Sequence, residues 1–247
     1  MGAMTSSTSH TTNPTEDLPL DGPLGRVHAN SATHWALLVL GMAASIAFTT
    51  GYLLEGALRP GYDWVRQPVS ALALGPDGWV QSLNFILFGL LSCATAFASR
   101  PTLTPGFGAR WYPRLRLLSG VALICTGLVD HDPGRGYPVG IPAPLHPSLH
   151  AQLHNLVSVV SLVAVVGQLT LLGIRFSRER RWRGWAVSAF VAAVAMMACL
   201  AVFGALTAQG GPAGVFEKVA GVIPAVFGIA FTVRLISRRD ARVTAAP

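Results

Sequence analysis

Residues 149–174 read LHAQLHNLVSVVSLVAVVGQLTLLGI, and the reading of this stretch decides the fold. It contains no Asp, Glu, Lys or Arg, and beyond Asn155 its polar members are scattered Ser, Gln and Thr. A helix of about 20 such residues crosses a bilayer hydrocarbon core of roughly 30 Å. Five further stretches, at about 35–57, 79–99, 115–131, 184–207 and 215–236, are also long and apolar enough to span, although 35–57, 115–131 and 215–236 carry a few charged residues. The third is shortened at its far end by Asp130, and the fifth is rich in Ala, Val and Met, as tightly packed membrane helices are. Gly41, Gly89, Gly120, Gly127 and Gly167 allow close helix approach.

Composition agrees. Hydrophobic residues make up 51% and charged residues 12% of the 247, with mean hydropathy +0.50, the balance of a polytopic membrane protein and not of a soluble domain. The net charge of +7 does not point to nucleic acid, because the basic residues are short arginine clusters between apolar runs, without a basic face or interleaved aromatics. Cys93, Cys125 and Cys199 lie singly in apolar runs and fit buried packing better than a disulfide framework or a cysteine zinc site. The expected fold is therefore an all-α bundle of six transmembrane helices over residues 34–237. A disordered tail over 1–33, rich in Ser, Thr, Asn and Pro, precedes it, and a basic tail over 238–247 follows.

Basic residues fix the expected orientation. Alternate connections and both termini carry 14 of them, including Arg110, Arg114, Arg116, Arg178, Arg181 and Arg239, whereas the other side carries 4: Arg59, Arg66, Arg135 and Lys218. Both termini are thus expected in the cytoplasm of a multi-pass plasma-membrane protein, with residues 59–79 and 128–155 facing outward.

The first outer connection, RPGYDWVRQPVSALALGPDGW over 59–79, is too apolar for a solvated loop. Pro68 can start a short helix over Val69–Leu74 that Gly75-Pro76 ends, giving an interfacial or re-entrant segment with Trp64 and Trp79 at headgroup level. Ser70 then sits near membrane depth, either as a packing serine or as a nucleophile, although no G-x-S-x-G surrounds it. Glu55 and Glu217 lie near outer helix ends, where a carboxylate is a functional suspect unless it pairs with Arg59 or Lys218.

The second outer connection, LVDHDPGRGYPVGIPAPLHPSLHAQLHN over 128–155, concentrates the remaining chemistry. Pro133 places Asp130 and Asp132 at the end of the third helix, and Pro147 starts the fourth at 146 or 147, so that His150 and His154 are i and i+4 neighbours. A carboxylate at a helix C-terminus and an imidazolium at a helix N-terminus are both at the wrong pole of the macrodipole, and a divalent cation would resolve the conflict. Asp132, His150 and His154 are accordingly expected to hold a metal such as zinc with an open position for water, with Ser70, Asp130 and His131 as catalytic candidates. Three readings of this cluster stay open: a structural hydrogen-bonded group, a metal-dependent catalytic site, and a metal-free acid/base, proton-relay or ligand site.

With GYDWVRQPVSALALG, SLNF, GLVDHDPGRGYP, LHAQLHN and GVFEKV in this order, residues 35–236 resemble the domain-of-unknown-function 998 family of bacterial six-helix membrane proteins. The resemblance implies the fold and a set of polar positions, here Tyr62, Asp63, Pro68, Ser70, Leu72, Asp132, Pro133, His150 and His154; His131 and His146 lie outside that pattern. It implies no activity. The expected function is a metal-assisted hydrolase acting on a lipidic or amphipathic substrate within the membrane. The alternatives are a non-catalytic protein that binds a membrane lipid or a protein partner or assists transport, and a histidine-based pH sensor.

Overall fold

The structure is a computed structural model and describes residues 32–98, 100–104, 106 and 108–244, the side chains of 101, 102 and 238–244 excepted. Apart from its last two residues, the tail expected over 1–33 lies outside the described residues. Among the described residues seven α-helices follow one another: α1 Ala32–Leu58, α2 Gly78–Ala94, the single-turn α3 Arg100–Leu103, α4 Gly108–Leu128, α5 Leu149–Ser177, α6 Arg183–Ala208 and α7 Gly214–Thr244. Short 3-10 turns occupy Val69–Ala73 and Arg180–Trp182. Among the described residues no strand forms, and the isolated bridge between Gly134 and Tyr137 closes a turn.

Among the described residues four helical stretches, Ala32–Leu58, Leu149–Ser177, Arg180–Ala208 and Gly214–Ser237, are long and apolar enough to cross a membrane, and Gly78–Ala94 is a shorter apolar helix. α4 has the length but carries Arg110, Arg114 and Arg116 in its first half. The boundaries depart from expectation in three places. α4 starts at Gly108 and not near 115, with Pro113 inside it. α2 stops at Ala94, where the Thr95 hydroxyl turns back onto the Leu91 carbonyl (2.7 Å) and the chain leaves in a tight turn. α7 runs through Thr244, across the expected tail, since no Pro or Gly interrupts 229–244.

Around the bundle each long helix packs on its neighbours in the order α1, α2, α4, α5, α6, α7 and back to α1, a closed ring of six. The α2–α4 contact is the closest. A Cβ on Gly89 would lie 2.6 Å from the Gly120 carbonyl, and one on Gly120 would lie 2.8 Å from the Gly89 carbonyl, so each helix occupies the space a side chain would need on the other. The outside is apolar. On α6, Val187, Val191 and Val194 are each at least 60% exposed while Ala186, Ala189, Ala193 and Met196 are buried, an inside-out arrangement suited to lipid and not to water. The end of the ring bearing 59–77 and 129–148 is called the plug end below, and the end bearing Arg110, Arg175 and Arg178 the arginine end.

Candidate functional site

Asp132 and His154 sit where two helices end, and each serves the other's helix. α4 closes at Leu128, so the chain has left the helix before it reaches Asp130. Asp132 then crosses to the start of α5, where Oδ2 accepts the backbone N–H of Ser148 at 2.7 Å. Ser148 is the N-cap, its Oγ accepting from Ala151 N at 3.1 Å, so α5 begins at Leu149 and Pro147 precedes the cap. In return, His154 of α5, 1% exposed, donates from Nδ1 to the carbonyl of Val129 at 2.7 Å, one of the carbonyls that the end of α4 leaves without a helical partner. The expected conflict with the macrodipoles is thereby corrected: the carboxylate ends at a helix N-terminus and the imidazole N–H at a helix C-terminus, the favourable poles.

The other members of the cluster do not join them at one point. His131 donates from Nδ1 to the Asp132 carbonyl at 2.6 Å, and its ring meets that of His154 edge-on, centroids 5.5 Å apart. Asp130, His146 and His150 are exposed; the first turn of α5 buries Ala151 and leaves His150 in the open, although His154, one turn on, is buried. Among the described residues no group of three or more His, Cys, Asp or Glu side chains is gathered so as to hold a metal ion. The hydroxyl and N–H of Ser148, with lesser help from His131 and His150, hold the Asp132 carboxyl below the usual carboxylate range.

The short helix expected after Pro68 forms as a 3-10 turn. Pro68 is the N-cap of the turn Val69–Ala73, and Ser70, Ala71 and Leu72 are all buried. Less legible in the sequence is what pins it. Glu217, in the first turn of α7, accepts the Val69 N–H on Oε2 at 2.7 Å. Lys218, the chain's one lysine and 1% exposed, donates to the Gln67 carbonyl at 2.9 Å and lies 5.1 Å and 5.2 Å from the ring centres of Tyr62 and Trp64. Glu217 and Lys218 therefore do not pair with each other, whereas Glu55 does pair with Arg59. Gly214 is required here, because a Cβ on it would fall 2.1 Å from the Gln67 carbonyl oxygen. Arg135, at φ 58° in the turn Gly134–Tyr137, ties the connections together by donating to the carbonyls of Arg66 (3.0 Å) and Thr207 (2.8 Å) and accepting from Gln67 Nε2 (3.1 Å). The segment is a plug held by side chains from three other parts of the chain.

Beneath the plug, the ring lines a partly open cavity of about 250 Å³. Phe48, Phe85, Phe88, Leu123, Leu162 and Val165 form its middle. Ser70, Tyr52, Thr126, Ser158 and Glu217 line it at the plug end, and Ser92, Thr95, Ser119, Gln168 and Arg116 line it toward the arginine end. Of the six expected site residues only Ser70 reaches this cavity; Asp130, His131, Asp132, His150 and His154 stand outside its wall. Tyr52, Arg116 and Gln168 were missed because each is a single polar residue within a helix, and Glu217 was seen only as a suspect; charge inside an apolar helix was the available signal for Arg116 and Glu217.

A ring of apolar helices with a lipid-facing exterior, a buttressed plug and a partly open cavity defines a polytopic helical membrane protein. Within that class, the family described as Protein of unknown function (DUF998) matches residues 42–234, and the chain belongs to it. Searches of curated proteins and of solved structures return no match.

Proposed function

We propose that this is a six-span membrane protein, both termini in the cytoplasm, that binds a lipidic or amphipathic molecule in the central cavity. The arginine distribution supports the orientation, putting the plug on the outer face of the cell membrane. One observation carries the binding reading: a cavity of about 250 Å³ with aromatic and aliphatic walls in the middle and polar groups at both ends, in a bundle whose glycine contacts otherwise close its helices tightly. An apolar cavity of about 150 Å³ already holds a benzene-sized guest, so the space suffices for a flexible chain. Holding a ligand is favoured over metal-assisted hydrolysis because Asp132 and His154 are committed to helix ends, His150 is exposed, and Ser70 faces the cavity without a histidine on its wall.

Native mass spectrometry of protein released from a non-ionic detergent tests this. The wild type is expected to retain one amphiphile per chain, and Ala225→Phe, which puts a ring into the cavity from α7, to lose it while keeping its melting temperature. Equal retention by the filled variant would place the lipid on the outer surface and overturn the reading.

A further inference from the structure

The two ends of the cavity carry opposite charge. We infer that the molecule held there is a single-chain amphiphile with a carboxylate head group, seated on Arg116 with its chain directed at the plug; this rests on the binding role proposed above. Arg110 and Arg114 are exposed, and Arg114 lies 5.1 Å from the ring centre of Trp111, as arginines at a membrane surface do. Arg116 instead turns inward and lines the cavity. Its Nη2 donates to the Thr95 hydroxyl at 3.2 Å, a neutral acceptor, and among the described residues no carboxylate forms an ion pair with it. A guanidinium has five N–H donors, and its planar fork matches a carboxylate.

The surroundings are shaped for such a head group. Gly41 of α1 leaves room beside the guanidinium: a Cβ there would lie 3.4 Å from Arg116 Nη2 and 3.3 Å from Thr95 Oγ1. Ser92 adds a hydroxyl on the α2 side, while the Thr95 hydroxyl already donates to the Leu91 carbonyl. Direction follows from the far end, where Glu217 lines the same cavity and already uses Oε2 on the Val69 N–H; a second carboxylate there would meet an acceptor with nothing to offer it. Volume selects one chain, because the space is less than twice the roughly 150 Å³ that one benzene-sized guest needs. An arginine at this depth without an acidic partner is costly, and the ligand's carboxylate supplies the missing charge.

Decanoate and decanol, which share a chain and differ in the head, are the probes, titrated against purified protein in non-ionic detergent and read by native mass spectrometry. Wild type is expected to bind decanoate about 10- to 100-fold more tightly than decanol, the range of one charge-assisted contact. Arg116→Gln should lose that preference yet keep decanol binding, and Arg116→Lys should retain part of it. Decanol and decanoate binding equally well to wild type would overturn the head-group assignment and leave the cavity reading standing. Failure of both probes, or binding that survives Ala225→Phe, would overturn the cavity reading itself. Because the comparison of heads is made on the wild type, it decides the matter even where Arg116→Gln does not fold.

Discussion

Replacing His154 by Ala separates a helix latch from a metal site. The substitution removes a side chain that is 1% exposed and leaves the Val129 carbonyl without its donor. Emptying an aromatic-sized buried site costs about 3–5 kcal/mol in soluble proteins, less where the walls relax, and an orphaned buried carbonyl adds about 1–3 kcal/mol. The carbonyl lies at the mouth of the ring where water can reach it, so a total of about 3–5 kcal/mol is expected. Asp132→Ala removes one acceptor from the start of α5, a loss of about 0.5–2 kcal/mol of the kind measured for helix caps. His150→Ala should change little, within about 0.5 kcal/mol, because the side chain is exposed and makes no hydrogen bond to the rest of the chain. The measurement is reversible unfolding in mixed detergent micelles, repeated with added zinc and with chelator. The expected rank is His154, then Asp132, then His150, with no response to either addition. A loss for His150→Ala as large as for His154→Ala, together with a zinc-dependent rise in stability that both substitutions abolish, would refute the latch.

Three further outcomes follow from the same contacts. Because the folded-state pKa of Asp132 is depressed, its contribution is complete above the ordinary carboxylate pKa of about 3.9 and is lost as pH falls through the lower folded value; wild type should lose more stability than Asp132→Asn as pH falls below about 4. Lys218→Met removes the donor to the Gln67 and Gly214 carbonyls, and hydrogen exchange should quicken at Val69–Leu74 by about 10- to 100-fold while α2 and α4 stay protected; equal quickening throughout would show that Lys218 holds the bundle and not the plug. Gly120→Leu forces α2 and α4 apart at the 2.8 Å approach and should cost at least about 1–3 kcal/mol in the unfolding assay, with Gly167→Leu costing less, since only the flexible end of Leu115 stands at 3.0 Å there.

The helices were legible because apolar length survives any packing arrangement, and the plug was legible because Pro68 and Gly75-Pro76 punctuate an apolar run. The ends of α2 and α4 were not, since Thr95 turns the chain while the sequence is still apolar and α4 continues N-terminally through the exposed Arg110 and Arg114. The helix ends that carry the polar cluster are legible from Pro133 and Pro147, but the partners of Asp132 and His154 are not. The dipole argument assumed that Asp132 stays with the helix it follows and His154 with the helix it opens, and the fold exchanges them. That exchange depends on the path of residues 133–147, a Pro- and Gly-rich crossing with no periodicity to read. The cavity was invisible for a different reason: Ser92, Ser119, Ser158 and Ser161 look like the small polar residues that pack any membrane helix, and only the ring's curvature shows that several face an interior space.

Glu217 and Lys218 show how adjacent residues divide their work. Successive side chains on a helix point about 100° apart and do not face each other, so a neighbouring pair of opposite sign cannot close a good ion pair at the start of α7. One therefore faces the cavity and receives the Val69 N–H, while the other turns under Tyr62 and Trp64 and donates to the Gln67 carbonyl. Two consecutive backbone positions of the plug, the Gln67 carbonyl and the Val69 amide across Pro68, are thus held by two consecutive side chains of α7. The plug cannot lift from one contact alone, and moving it would bare a buried ammonium and a carboxylate together. Whatever enters the cavity past Ser70 must disturb this pair, whereas at the other end Arg116 is held by a neutral hydrogen bond to Thr95. The charges accordingly distinguish the two ends of the cavity, an anchored end at Glu217 and a receptive end at Arg116.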